Sequence, residues 1–127
     1  LHHLDLTIAI PEIARVLRPG GRAVFLEPLI HNPILEGYRR LTPHLRSPTE
    51  RALSMVDIAW IGRHFRSYQH REFILFSILP VLLAALTGQR EGLHRWQDRL
   101  EKLDRALMER FPFVGRYCWE TVIVLER

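Results

Sequence analysis

Three groups of side chains in this 127-residue chain carry atoms that chemistry can use. The first is the adjacent pair His2 and His3. Imidazoles ligate metals and move protons near neutral pH. A metal site needs further ligands at typical spacings, and no third one follows the pair, so no metal is expected. The second group is Glu27 and Pro28 with His31 and Asn32. Glu27 could orient a substrate and His31 could take its proton, or Glu27 could instead cap a helix or pair with an arginine. The third is Tyr38, Arg39 and Arg40, followed by His44 and Arg46. Neighbouring guanidinium groups suit an anionic ligand, although the same residues also read as a solvated helix face. The single cysteine, Cys118, cannot close an intrachain disulfide. It reads as a small core residue beside a strand, in a reducing cytoplasmic setting.

The elements that must position these groups follow from local patterns. Ile10, Ile13, Ala14 and Leu17 make one apolar helical stripe. Proline is comfortable only in a first helical turn, so Pro11 sets the expected helix at about residues 10–18. Pro19-Gly20-Gly21 stops it. The apolar run from Ala23 to Leu26, without alternation, predicts a strand over residues 22–28 buried on both faces. Ligands of open α/β sheets collect at the carboxyl ends of strands, which makes Glu27 to Asn32 the expected substrate loop.

Residues 29–66 read as loops and short helices, an insertion or lid on the substrate side. Ser47-Pro48-Thr49-Glu50 has capping-box form, and Ser54 to Asp57 offers another helix start, with Ile58, Ile61 and Phe65 on one face. Residues 67–78 contain a strand, whereas residues 74–86 fit either its end or a buried helix. Leu93, Trp96, Leu100, Leu103 and Leu107 keep helical spacing up to Phe111-Pro112. A last strand alternates Trp119, Thr121, Ile123 and Leu125 against Cys118, Glu120, Val122 and Val124.

At 47% hydrophobic and 25% charged, the chain can bury a core, and disorder is excluded. The formal charge is +4, and of the 18 basic residues only Lys102 is lysine. The arginines are scattered among acids, not gathered into a stripe, so nucleic acid is not an expected partner. No apolar run reaches the ~20 residues that span a bilayer. An uncharged, mainly apolar stretch at residues 73–87 is interrupted by Pro80. Residues 73–86 are apolar all round, which fits a buried element or a lid over a lipophilic substrate better than a membrane-surface helix.

Leu1-His2-His3-Leu4-Asp5, then Glu12 to Gly21 (EIARVLRPGG), then Ala23 to Pro28 (AVFLEP) resemble the second half of the class I S-adenosylmethionine-dependent methyltransferases. In that family an LHHL-like segment follows the fourth strand, and the EIARVLxPGG helix and turn lead into the fifth. The resemblance implies an α/β fold containing part of a Rossmann-like sheet: the last parallel strand plus antiparallel carboxyl-terminal strands, with helices. It implies S-adenosylmethionine as cofactor, with Leu1, His2 and His3 near its methionine end. The same comparison implies an acceptor site at Glu27 and His31, with Pro28, Asn32, Tyr38, Arg39 and Arg40 as substrate contacts. The acceptor would be a small molecule.

The family's acidic, glycine-rich cofactor loop and its ribose-binding acid have no counterpart in the sequence. Gly20 and Gly21 follow a helix and precede a strand, the reverse order. The expectation is one partial domain over residues 1–127, the carboxyl-terminal half of a methyltransferase and inactive alone. The alternative is a non-catalytic remnant, or a partner subunit that completes another chain's sheet and otherwise leaves a long edge exposed.

Overall fold

The structure, a computed structural model, describes residues 1–42, 51–88 and 92–127. The first helix, α1 (Leu6–Val16), begins earlier than Pro11 suggests. Asp5 caps it, its carboxylate accepting from the Thr7 N–H at 2.9 Å. Pro11 therefore lies inside the helix, on its exposed side. A proline in that place removes one hydrogen bond and kinks or strains the turn before it; the cap and the buried Ile10 hold the helix regardless.

Gly20, at φ 72°, turns the chain into β1 (Arg22–Pro28). A side chain at Gly21 would meet the Arg18 carbonyl oxygen at 2.8 Å. The turn docks on the chain's last residue: the Gly20 N–H donates to the Arg127 carbonyl, and the Arg127 N–H to the Gly21 carbonyl. The Arg127 guanidinium also donates to the Arg15 and Leu17 carbonyls, satisfying acceptors at the end of α1.

The sheet has three strands in the order β1-β3-β2, where β2 is Ser67–Phe73 and β3 is Glu120–Glu126. β3 runs antiparallel to both neighbours, so β1 and β2 point the same way and only the last strand reverses. Phe25 and His70 both pair with Ile123, which fixes the register. One sheet face carries Thr121, Ile123 and Leu125, buried with Ile10 of α1 and with Ile58 and Ile61 of α3 (Met55–Gly62). The start of α3 is as the sequence implies: Ser54 and Asp57 cap each other's backbone N–H groups.

The expected burial of β1 on both faces does not hold. Val24 and Leu26 are 63% and 59% exposed. A run of apolar residues reports affinity for a nonpolar neighbour on each face, and only the Ala23–Phe25–Glu27 side has one. Across the other face, α5 (Leu93–Arg110) approaches only the carboxyl end, over a cavity of about 350 Å3 that Leu26, Phe73 and Met108 help to line.

The ambiguity over residues 74–86 resolves as α4 (Ile78–Thr87), preceded by a tight turn. Of the two readings, a buried element or a lid, full burial does not hold. Ile78 and Pro80 are buried, but Leu79, Val81, Leu83 and Leu86 are exposed. Segment 29–66 does reach the core: Leu29 and Leu53 are both buried and form a short parallel bridge. Among the described residues, no helix is long and apolar enough to cross a membrane. The capping box read at residues 47–50 lies outside the described residues.

Candidate functional site

The site grows from the carboxyl end of β1. Alternation along this strand turns Glu27 to the covered face, beside Thr121 of β3, where it is 3% exposed. Its carboxylate grips the chain's first residues. Oε1 accepts from the backbone nitrogen of Leu1, and Oε2 accepts from the His2 N–H at 3.1 Å and lies 2.7 Å from His2 Nδ1. A buried carboxylate is tolerated only with such partners. The His2 carbonyl accepts in turn from the Arg51 N–H at 2.9 Å, so the segment is held on two sides. His3 is exposed, its ring 4.2 Å from that of His2.

Glu27 and residues 1–3, singled out separately in the sequence, are thus one cluster. Among the described residues, Glu27 neither caps a helix nor pairs with an arginine. Closed to solvent and bonded through both oxygens, it is placed to position the 1–3 segment. His31, by contrast, is exposed and within reach of a solvent-borne molecule. Pro28 sits in backbone pairing, its carbonyl accepting from the Leu53 N–H at 2.9 Å.

Asn32 is 1% exposed and caps α2 (Pro33–Leu41), accepting from the Leu35 N–H at 2.9 Å. Pro33 at the first helical position suits the same turn. Tyr38, Arg39 and Arg40 fall in the last turns of α2, where cations complement the helix dipole. Arg40 also pairs with Glu36 at 3.6 Å on an exposed face. These three residues stand on another element from the Glu27 cluster, α2 instead of β1. His44 and Arg46 lie outside the described residues. Among the described residues, no group of three His, Cys, Asp or Glu side chains is arranged to hold a metal ion.

A further heavily engaged side chain among the described residues lies outside the three groups that the sequence points to. Asp104 of α5 is 2% exposed. It accepts from the Leu75, Phe76 and Ser77 N–H groups at 2.9, 2.9 and 3.0 Å and from the Ser77 hydroxyl at 2.7 Å. This carboxylate fastens the turn between β2 and α4. Just before that turn Ile74 has φ 64°, a left-handed conformation costly for a β-branched residue. Asp104 on one side, and the Trp119 N–H donating to the Ile74 carbonyl at 2.7 Å on the other, hold it there. The signal was present: Leu93, Gln97, Leu100, Asp104 and Leu107 are the least exposed stripe of α5, whereas Trp96 and Leu103 face out.

Cys118 is fully buried, its Sγ 3.4 Å from Met108 Sδ. Burial first, then the nearby carboxylates of Asp104 and Glu72, push its thiol up from 9.0 to about 12. Such a thiol is packing material, not a nucleophile. Desolvation also raises Glu120 above the usual carboxylate range. No family model, curated protein or solved structure matches the chain.

Proposed function

We propose that this chain is the carboxyl-terminal part of a class I S-adenosylmethionine-dependent methyltransferase and forms the acceptor side of its site. One observation carries the reading. The LHHL segment, which the sequence places ahead of the EIARVLRPGG helix and turn, comes back to the carboxyl end of β1 and is held there by buried Glu27. The reversal of β3 between two strands of common direction supports it further.

S-adenosylmethionine, when bound, supplies a methyl group already activated on sulfur. The protein's part is then alignment and exclusion of water. Residues 1–3 suit only the methionine end of that donor. The chain offers no glycine-rich loop, and Glu27 is already engaged, so the residues present do not by themselves fit the whole cofactor. Glu27 fixes the loop that would face the donor. In this reading His31, exposed one residue before the α2 cap, accepts a proton from the acceptor.

The test uses protein made from its native reading frame, with whatever flanks residues 1–127. Irradiation with methyl-labelled S-adenosylmethionine should leave label on the peptide carrying residues 1–5. Label confined to other peptides, or absent, overturns the proposal.

The partner-subunit reading is favoured by one feature, the edge position of β1 with Val24 and Leu26 exposed. A monodisperse monomer in size-exclusion chromatography with light scattering counts against it; a stable complex with a second chain supports it.

A further inference from the structure

A cavity of about 350 Å3 lies between the start of α2, the turn before α4, α5 and the 3₁₀ segment Pro112–Tyr117. Its wall is almost entirely carbon, supplied by Ile34, Phe76, Leu107, Val114 and Tyr117 among others. Among the described residues, no carboxylate or guanidinium lines it. Its one amide side chain, Asn32, is committed to the backbone: Oδ1 to the Leu35 N–H at 2.9 Å, and Nδ2 toward the Leu75 carbonyl at 3.5 Å.

A charged group entering this space would lose its hydration and gain no partner. An uncharged ring or alkyl chain gains by leaving water. The volume falls inside the range of about 300–1,000 Å3 typical of small-molecule pockets. The walls are also fixed before any ligand arrives, because Asn32 caps α2 and Asp104 pins the turn carrying Leu75 and Phe76. Phe76 and Tyr117 are 38% and 41% exposed, so two aromatic residues of the lining are also open to solvent.

We infer that this cavity binds the uncharged, apolar portion of a small molecule, an aromatic ring or alkyl chain. Naming that molecule as the methyl acceptor rests on the proposal above. Its polar end then lies on the His31 side, because His31 directly precedes the Asn32–Pro33 wall. This extends the site from a loop of polar residues to a pocket with a stated ligand class.

The probe is N-phenyl-1-naphthylamine, an uncharged fluorophore that brightens in dry surroundings. Titration of the purified protein should give a saturable, one-to-one enhancement. Val114→Trp and Ile34→Phe, which fill the cavity from different elements, should each weaken binding about tenfold or more. Circular dichroism identifies a variant that fails to fold, and the other then decides. Leu83→Gln, on the exposed side of α4, should leave the titration unchanged. 1-Naphthol should displace the probe at a concentration at least about tenfold lower than 1-naphthoate requires.

Non-saturable binding overturns the inference, as does undiminished binding by a folded cavity-filling variant or loss of binding in Leu83→Gln. S-adenosylmethionine binding by the native-frame protein is measured separately. Probe binding without donor binding keeps the pocket and removes the acceptor assignment; donor binding without probe binding removes the pocket and keeps methyl transfer.

Discussion

Replacing Asp104 by Asn tests whether one carboxylate holds the turn that shapes the apolar cavity. Oδ2 serves the Leu75 N–H, the Ser77 N–H and the Ser77 hydroxyl, and Oδ1 serves the Phe76 N–H. An asparagine can keep its oxygen in the Oδ2 position. It then loses the charge on three hydrogen bonds and presents an NH2 to the Phe76 N–H. Bonds to charged groups contribute about 1.5–3 kcal/mol against about 0.5–1.5 for neutral ones. The Phe76 bond is only part-buried, so losing its acceptor adds the smaller share of the cost. The sum, reduced for non-additivity, is about 3 kcal/mol, or roughly 10 °C in Tm for a chain of this size. Asp104→Ala removes every acceptor and should cost more, about 4–5 kcal/mol. The assay is calorimetric melting, with amide exchange read at Leu75, Phe76 and Ser77. Those three amides should exchange faster in Asp104→Asn under conditions where β3 amides are unchanged. A Tm within about 2 °C of the parent, with unaltered exchange at the turn, would refute the reasoning.

Two further outcomes follow from the same structure. Asn32→Ala removes the cap of α2 from a buried position and should lower stability by about 1–2 kcal/mol in denaturant melts, with Asn32→Ser recovering part of it. Cys118 has a folded thiol raised from 9.0 to about 12, so the folded state binds this proton more tightly than the unfolded chain. Its contribution is complete below about pH 9 and is lost as pH rises from there toward 12. Alkylation by iodoacetamide at neutral pH should therefore require unfolding, and the alkaline fall in Tm should flatten in Cys118→Ala.

Local chemistry carried the parts of the fold that could be read directly. The Ser54–Asp57 capping box, the Gly20 turn and the alternation of Thr121, Ile123 and Leu125 each depend on residues close in sequence. The start of α1 departs from the proline rule because the Asp5 cap outweighs it. The exposure of Val24, Leu26 and α4 was not legible, since a nonpolar sequence states a preference and not whether a neighbour exists. The candidate site was legible as residue types only. Glu27 was singled out for an acceptor, yet its partners, Leu1 and His2, lie 26 and 25 residues away. Such pairing emerges only when β1 and the loop ahead of α1 are brought together. Asp104 is hidden differently: it keeps the buried spacing of α5, but a carboxylate on an amphipathic helix ordinarily faces solvent.

The central claim, that this chain supplies the acceptor half of a methyl-transfer site, is tested most directly by isothermal titration. The protein made from its native reading frame is titrated with S-adenosylmethionine and with S-adenosylhomocysteine, as parent and as Glu27→Gln. One-to-one binding of both ligands is predicted, weakened about tenfold or more in Glu27→Gln because the 1–3 loop loses its charged anchor. Absence of binding heat for both ligands in the parent protein would contradict the claim.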